Sequence, residues 1–232
     1  MTRKSIPRLL VLFFAFLTVQ AQSPSEHELE TFFSHLVDDQ REIWTTPFQE
    51  ETWKKPQTYW FIGASGLSFT LDDEPSRSIR ENDAFSGFND VFASTPADLT
   101  VALLPVTLGL AGKWSGQERL AEFGWKSTEA LVGSLIAVSL MKAVTQRPRP
   151  NRENVYGFWD GGNSFPSGHA ISVWAVASVA SKHYPDQKWV PWVAYPLAGL
   201  ISFSRISSGH HFASDVVTGS VLGFSTGRWV VD

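Results

Sequence analysis

A chain of 232 residues, 43% of them apolar, suits one domain and can bury a substantial core. Its formal charge of -4 leaves no basic footprint, so nucleic acid is not an expected partner. The chain has no cysteine, which excludes disulfides, thiolate nucleophiles and sulfur-ligated metals and leaves the redox compartment open.

The N terminus reads as an export signal. "MTRKSIPR" is basic, "LLVLFFAFLTV" is apolar, and "VQA" allows cleavage after Ala21. An uncleaved anchor is the alternative, although the run is short for a full span. Residues 22–54 form an amphipathic extension ahead of a main domain over 55–232. Within it, Leu29, Phe32, Phe33, Leu36 and Val37 share one helical stripe. Acidic residues occupy the rest of that helix, so the stripe is expected to pack on the main domain rather than on anionic lipid.

Six apolar segments follow, at 59–71, 99–112, 130–144, 168–180, 190–203 and 216–231. Each outlasts a typical strand and lacks strict alternation, which favours helix. Glycine, alanine and serine recur in all six, as close helix contacts require. Polar or Pro/Gly-rich connectors separate them, notably 72–98 and 145–167. Their lengths fall short of a 20-residue span, and the mean hydropathy of -0.08 is low for a six-span protein. Against that, they are apolar nearly all round, and many of the ten tryptophans cluster at their edges, as at a membrane interface.

Three clusters carry chemistry. In "KAVTQRPRP" (142–150), Lys142 and Arg149 are singled out, with Arg147 and Arg152 nearby. The X-Pro bonds stiffen the turn, and cations held there suit a multivalent anion. A basic helix end that complements the helix dipole would look the same. In "SFPSGHA" (164–170), Ser167 suits an N-cap, and Gly168 lets the backbone approach a ligand. The free N–H groups of that helix start favour phosphate, and His169 in the first turn can move a proton. An ordinary capped helix has the same residues. In "SRISSGHHFASD" (204–215), His211 and Asp215 stand at i and i+4, on one face if residues from about 210 are helical. A carboxylate on Nδ1–H leaves Nε2 free as a nucleophile. Arg205 is placed to grip the anion. His210 points about 100° away and is given no role.

Lys142 with Arg149-Pro150, Pro166-Ser167-Gly168-His169, and Ser204-Arg205 with His211 and Asp215 resemble the three signature motifs of the type-2 phosphatidic acid phosphatase superfamily, in order and spacing. The resemblance covers roughly residues 55–230. It selects Arg149 over Arg147 and His211 over His210. It implies an all-α helical bundle with a six-helix core and an active site at one end. It also implies the roles. His211 attacks phosphorus, Asp215 orients it, and His169 protonates the leaving oxygen and then activates water. Lys142, Arg149, Arg205, Ser167 and the Gly168 amide hold the phosphoryl oxygens, with no metal and no cofactor.

The expected substrate is a phosphorylated lipid or isoprenoid: phosphatidate, phosphatidylglycerophosphate, undecaprenyl diphosphate or a lipid A phosphate. A membrane partner follows from it. A soluble periplasmic acid phosphatase, a vanadium-dependent haloperoxidase and an inactive envelope scaffold are the rival readings. With residue 22 outside and all six segments spanning, the site would face the cytoplasm. The cations argue the reverse: Arg77, Arg80, Arg147 and Arg152 lie in site-side loops, against Arg41, Lys54, Lys55, Lys113, Arg119, Lys126, Lys182 and Lys188 opposite. An exported, envelope-held protein with an outward-facing site is therefore the expectation.

Overall fold

The computed structural model describes residues 26–151 and 157–232. The expected signal and Arg152 lie outside the described residues. Helices follow one another along the chain: α1 (Glu26–Thr45), α2 (Glu50–Lys54), α3 (Pro56–Ser68), α4 (Glu74–Arg80), α5 (Ser86–Phe92), α6 (Thr95–Ser115), α7 (Glu118–Thr145), α8 (Gly168–His183), α9 (Val190–Ser207) and α10 (Ala213–Trp229). No strand occurs among the described residues. The fold is all-α, and the six apolar segments fall on α3 and α6–α10.

Helix α8 lies at the centre, against α10, α9, α7 and α6. Its neighbours pack on small side chains. Ala130, Ala175 and Val179 form one core cluster, and Val173, Ala177 and Ala198 form another. Glycine brings backbones into contact at two seams. A Cβ on Gly112 would collide with Ala121, and one on Gly124 with Gly109, which locks α6 to α7. Gly219, Gly223 and Gly227 recur every fourth residue along α10, where a Cβ would strike the carbonyls of Ser167, Ile171 and Ala175. Gly116 (φ 70°) closes α6 in the left-handed region and lets the chain double back into α7.

Helix α1 docks on α7, but along a narrower line than its apolar stripe. Leu36 is buried, Gln40 Nε2 donates to the Gly133 carbonyl at 2.9 Å, and His35 Nδ1 lies 3.3 Å from Glu129. Phe33 and Val37 stay 61% and 68% exposed. The i, i+4 edge of Leu36 and Gln40 meets α7, and Phe33 and Val37 turn away from it.

The ends of the bundle differ. The C-terminal ends of α7 and α9 and the N-terminal ends of α6, α8 and α10 come together at one end. Trp114, Trp189 and Trp192 sit exposed at the other. Apolar side chains also remain exposed along the helices, including Leu103 on α6, Leu140 on α7 and Leu197 on α9. Two stretches, Asp83–Ser115 and Glu118–Thr145, are long and apolar enough to cross a membrane.

Candidate active site

The first end gathers all three motif clusters. Ser167 caps α8: its Oγ accepts from the Ala170 amide at 3.4 Å, and Gly168 begins the helix. The Ser167 amide in turn donates to the Asp215 carbonyl at 2.9 Å, which joins the second cluster to the third.

His211 lies ahead of α10 rather than within it, because the helix begins at Ala213. The expected helical i, i+4 pairing is therefore replaced by a cap. The Phe212 amide donates to Asp215 Oδ2 at 2.9 Å, and this folds the carboxylate back toward the preceding residue. His211 Nδ1 then stands 3.4 Å from the same oxygen. The amides of His210 and His211 both donate to the Arg205 carbonyl, at 3.1 and 2.9 Å, and so pin the loop to the end of α9. His210 turns its Nδ1 to Ser208 Oγ at 2.6 Å, away from Asp215.

Burial pushes the His211 imidazole below its ordinary pKa. The hydrogen bond and charge of Asp215 oppose that shift, while Lys142 and Arg149 add to it. His210 is also lowered, first by burial and then by Arg205 and Arg149. Lys142 Nζ donates to the Asn163 carbonyl, and Arg149 Nε donates to Asn163 Oδ1 at 3.2 Å. Arg149 borders an open cleft of about 420 Å³ with Asn151, Gly161, Gly162 and Asn163.

Arg205 is almost wholly buried at the end of α9, yet only its Nη1 finds an acceptor, Asp98 Oδ1 at 3.0 Å. Its Nε and Nη2 have none among the described residues. Buried donors of this kind suit an oxyanion. His169 Nε2 lies 3.0 Å from the same Asp98 oxygen.

The structure separates the two arginines of "RPRP". Arg147, counted from sequence among the loop cations, is 5% exposed and is no surface charge. Its Nη1 donates to Asp215 Oδ1 at 2.7 Å and Ser214 Oγ at 2.6 Å, and its Nη2 to Asp72 Oδ2 at 2.6 Å. The rings of Phe212, Phe158 and Phe69 surround its guanidinium at 4.2, 5.1 and 5.5 Å. Two carboxylates and three rings make that interior favourable for a charge that cannot be shed.

Sequence reasoning missed four of these residues. Asp72 and Asp98 stand in a polar connector where aspartate looks solvated. Ser164 donates to Asp215 Oδ2 at 2.5 Å and lies 3.3 Å from His211 Nδ1. Arg147 differs from Arg149 in no local signal.

Residues 123–232 match the family model of the PAP2 superfamily. The whole chain is 26% identical, over 242 aligned positions, to a lipid A 1-phosphatase of Porphyromonas gingivalis and covers 52% of it. About half of the chain (49%) is 27% identical to a lipid A 4'-phosphatase of the same organism, covering 51% of it. The chain thus spans about half the length of the curated relatives it matches. Among solved structures it is similar to Aquifex aeolicus LpxE, at TM-score 0.49 and 21% identity, over 69% of this chain and 94% of that one. It is also similar to a PAP2-type phosphatidylglycerolphosphate phosphatase of Bacillus subtilis, at TM-score 0.47 and 20% identity, over 86% and 92%.

Proposed function

We propose, from the match of residues 123–232 to the family model of the PAP2 superfamily, that this chain is a phosphatase acting on a membrane-held phosphorylated lipid. The observation that carries the reading is one arrangement. A buried imidazole has Asp215 on its Nδ1 side, and the cations Lys142 and Arg149 act on it electrostatically.

The chemistry follows from that arrangement. With Nδ1–H held by Asp215, Nε2 of His211 presents its lone pair to phosphorus. A P–N bond forms as the ester P–O bond breaks. His169 gives a proton to the departing oxygen, then takes one from the water that cleaves the phosphohistidine. Lys142, Arg149, Arg205 and the Ser167–Gly168 helix start meet the charge on the phosphoryl oxygens. The free donors of Arg205 are already buried and need no desolvation when the anion arrives.

The two curated relatives make a lipid A-type phosphate the first substrate to try, ahead of phosphatidate, phosphatidylglycerophosphate and undecaprenyl diphosphate. The exposed apolar flanks of α6, α7 and α9 support lipid immersion. Helix α3 has 13 residues against 16 to 28 in α6–α10, and we take it as the segment that does not cross. An exported N terminus and an outward site then agree. Lys113, Arg119, Lys182 and Lys188 gather at the opposite, inward end.

The test is phosphate release by purified wild type and His211→Ala, with chelator present. The substrates are lipid A, the three glycerol and isoprenoid phosphates, and a soluble aryl phosphate. The expected result is metal-independent release from a lipid substrate that drops by about a thousandfold or more in the variant. Full activity in His211→Ala would sink the reading. Preference for the aryl phosphate would move it to a soluble phosphatase.

A further inference from the structure

Asp72 lies far outside the matched family region, at the end of the turn that follows α3. It is nonetheless built into the site from behind. Its Oδ1 accepts the Ser214 amide at 2.9 Å, and its Oδ2 accepts Ser214 Oγ and Arg147 Nη2, each at 2.6 Å. Arg147 spans the gap and holds Asp215 by its other nitrogen. The line therefore runs Asp72, Arg147, Asp215, His211, and every member is buried.

Charge counting along that line decides what Asp72 does. Arg147 is permanently cationic. Paired with Asp215 alone, it would cancel the one negative charge that faces the imidazole. Asp72 supplies a second carboxylate, so the buried group keeps one net negative charge toward His211. That charge is what an imidazolium or phosphorylated imidazole requires, and in a low-dielectric interior it acts strongly. The other charged groups that influence His211, Lys142 and Arg149, are cations and push the opposite way.

We infer that Asp72 is a positioning residue for catalysis, which neutralises Arg147 so that the Asp215 charge remains available to the His211 nucleophile. The inference rests on the phosphohistidine reading above. Deleting both partners should be better than deleting one, as for any buried ion pair; what sets the role apart from a structural one is that the effect falls on kcat and the trapped phosphohistidine with KM unchanged. Asp72→Asn leaves Arg147 to cancel Asp215. Asp72→Asn with Arg147→Met restores one net negative charge.

The experiment measures kcat and KM for the same phosphate ester, with acid-quenched phosphohistidine as a second readout. The variants are Asp72→Asn, Arg147→Met, Arg147→Lys and the double variant. Asp72→Asn should lower kcat by about tenfold with KM within about twofold, and lower the trapped intermediate. The double variant should match or exceed Asp72→Asn. Arg147→Lys should keep most activity, and it serves where a neutral substitution fails to fold. Losses that multiply in the double variant, or a wild-type kcat in Asp72→Asn, overturn the inference. So does an Arg147→Lys loss as deep as that of Arg147→Met. Silence of wild type and His211→Ala alike overturns the functional reading instead.

Discussion

The C-terminal half and the N-terminal part of this molecule are held together by different means. From α6 to α10, glycine seams press backbone against backbone, and alanine, serine and valine make up most of the buried side chains. From α1 to α5, large side chains such as Phe33, Trp53 and Trp60 stay exposed. Contact with the bundle there runs through aromatic edges, Phe61 on Phe224 and Phe85 and Phe88 on Phe203, and through single hydrogen bonds. Ser207 Oγ on α9 donates to Asn89 Oδ1 at 2.6 Å, and Ser204 Oγ donates to the Phe92 carbonyl at 3.1 Å. Yet the looser part supplies a buried carboxylate to the site, Asp72, while Asp98 stands at the border, in the first turn of α6. Tight packing sets where the reacting groups stand, and a thinly attached segment sets the charge around them.

That contrast can be broken at the seam. Gly223→Val on α10 drives a side chain into the Ile171 carbonyl and should cost about 3 kcal/mol or more in denaturant unfolding. Gly63→Ala on α3 meets no atom within 4 Å and should be neutral or gain up to about 1 kcal/mol from helix propensity. Equal effects at the two sites would erase the distinction.

A smaller effect is expected at Asp98. Its half-exposed carboxylate occupies donors of both Arg205 and His169, so it competes with an incoming phosphoryl group. Asp98→Asn should tighten inhibition by inorganic phosphate about fivefold, roughly 1 kcal/mol for a partly solvated pair. Unchanged or weaker inhibition would show that the carboxylate does not compete.

The pH profile should reflect the burial of His211. Its pKa is lowered, so the neutral imidazole persists as pH falls. The acid limb of kcat/KM assigned to His211 should then lie below the ordinary imidazole value of about 6.5. A limb above that value, traced to His211, would mean that Asp215 outweighs burial. Least of all should Val37→Ser matter. That residue is 68% exposed on α1, and unfolding should move by no more than about 0.5 kcal/mol.

Much of this was legible in the sequence. The six apolar segments became helices because their length and small-residue content leave little alternative. The motif residues converge because each cluster stands at a helix end. The Ser167 cap follows from local spacing, whereas His210 turns to Ser208 from a loop ahead of α10 and not by rotation within a helix. The polar partners were not legible. Asp72 reaches Ser214 across 142 positions and Arg205 reaches Asp98 across 107, and nothing near either aspartate sets it apart from a solvated loop residue. Arg147 and Arg149 each precede a proline, and only burial separates them. The position of His211 ahead of α10 depends on Asp215 bending back to the Phe212 amide, which spacing alone does not distinguish from a helical turn.

The glycine seams divide the bundle into two plates. One comprises α6 and α7, the other α8 and α10, and within each plate the backbones are in contact and cannot slide. His169 and Asp215 ride on the second plate, and the Ser167 amide ties the two helices together beside them. Lys142 and Asp98 ride on the first. Lys142 and His169 therefore stand on different plates, and their spacing is set by the contact of α7 with α8, where Ala130 packs on Ala175 and Val179.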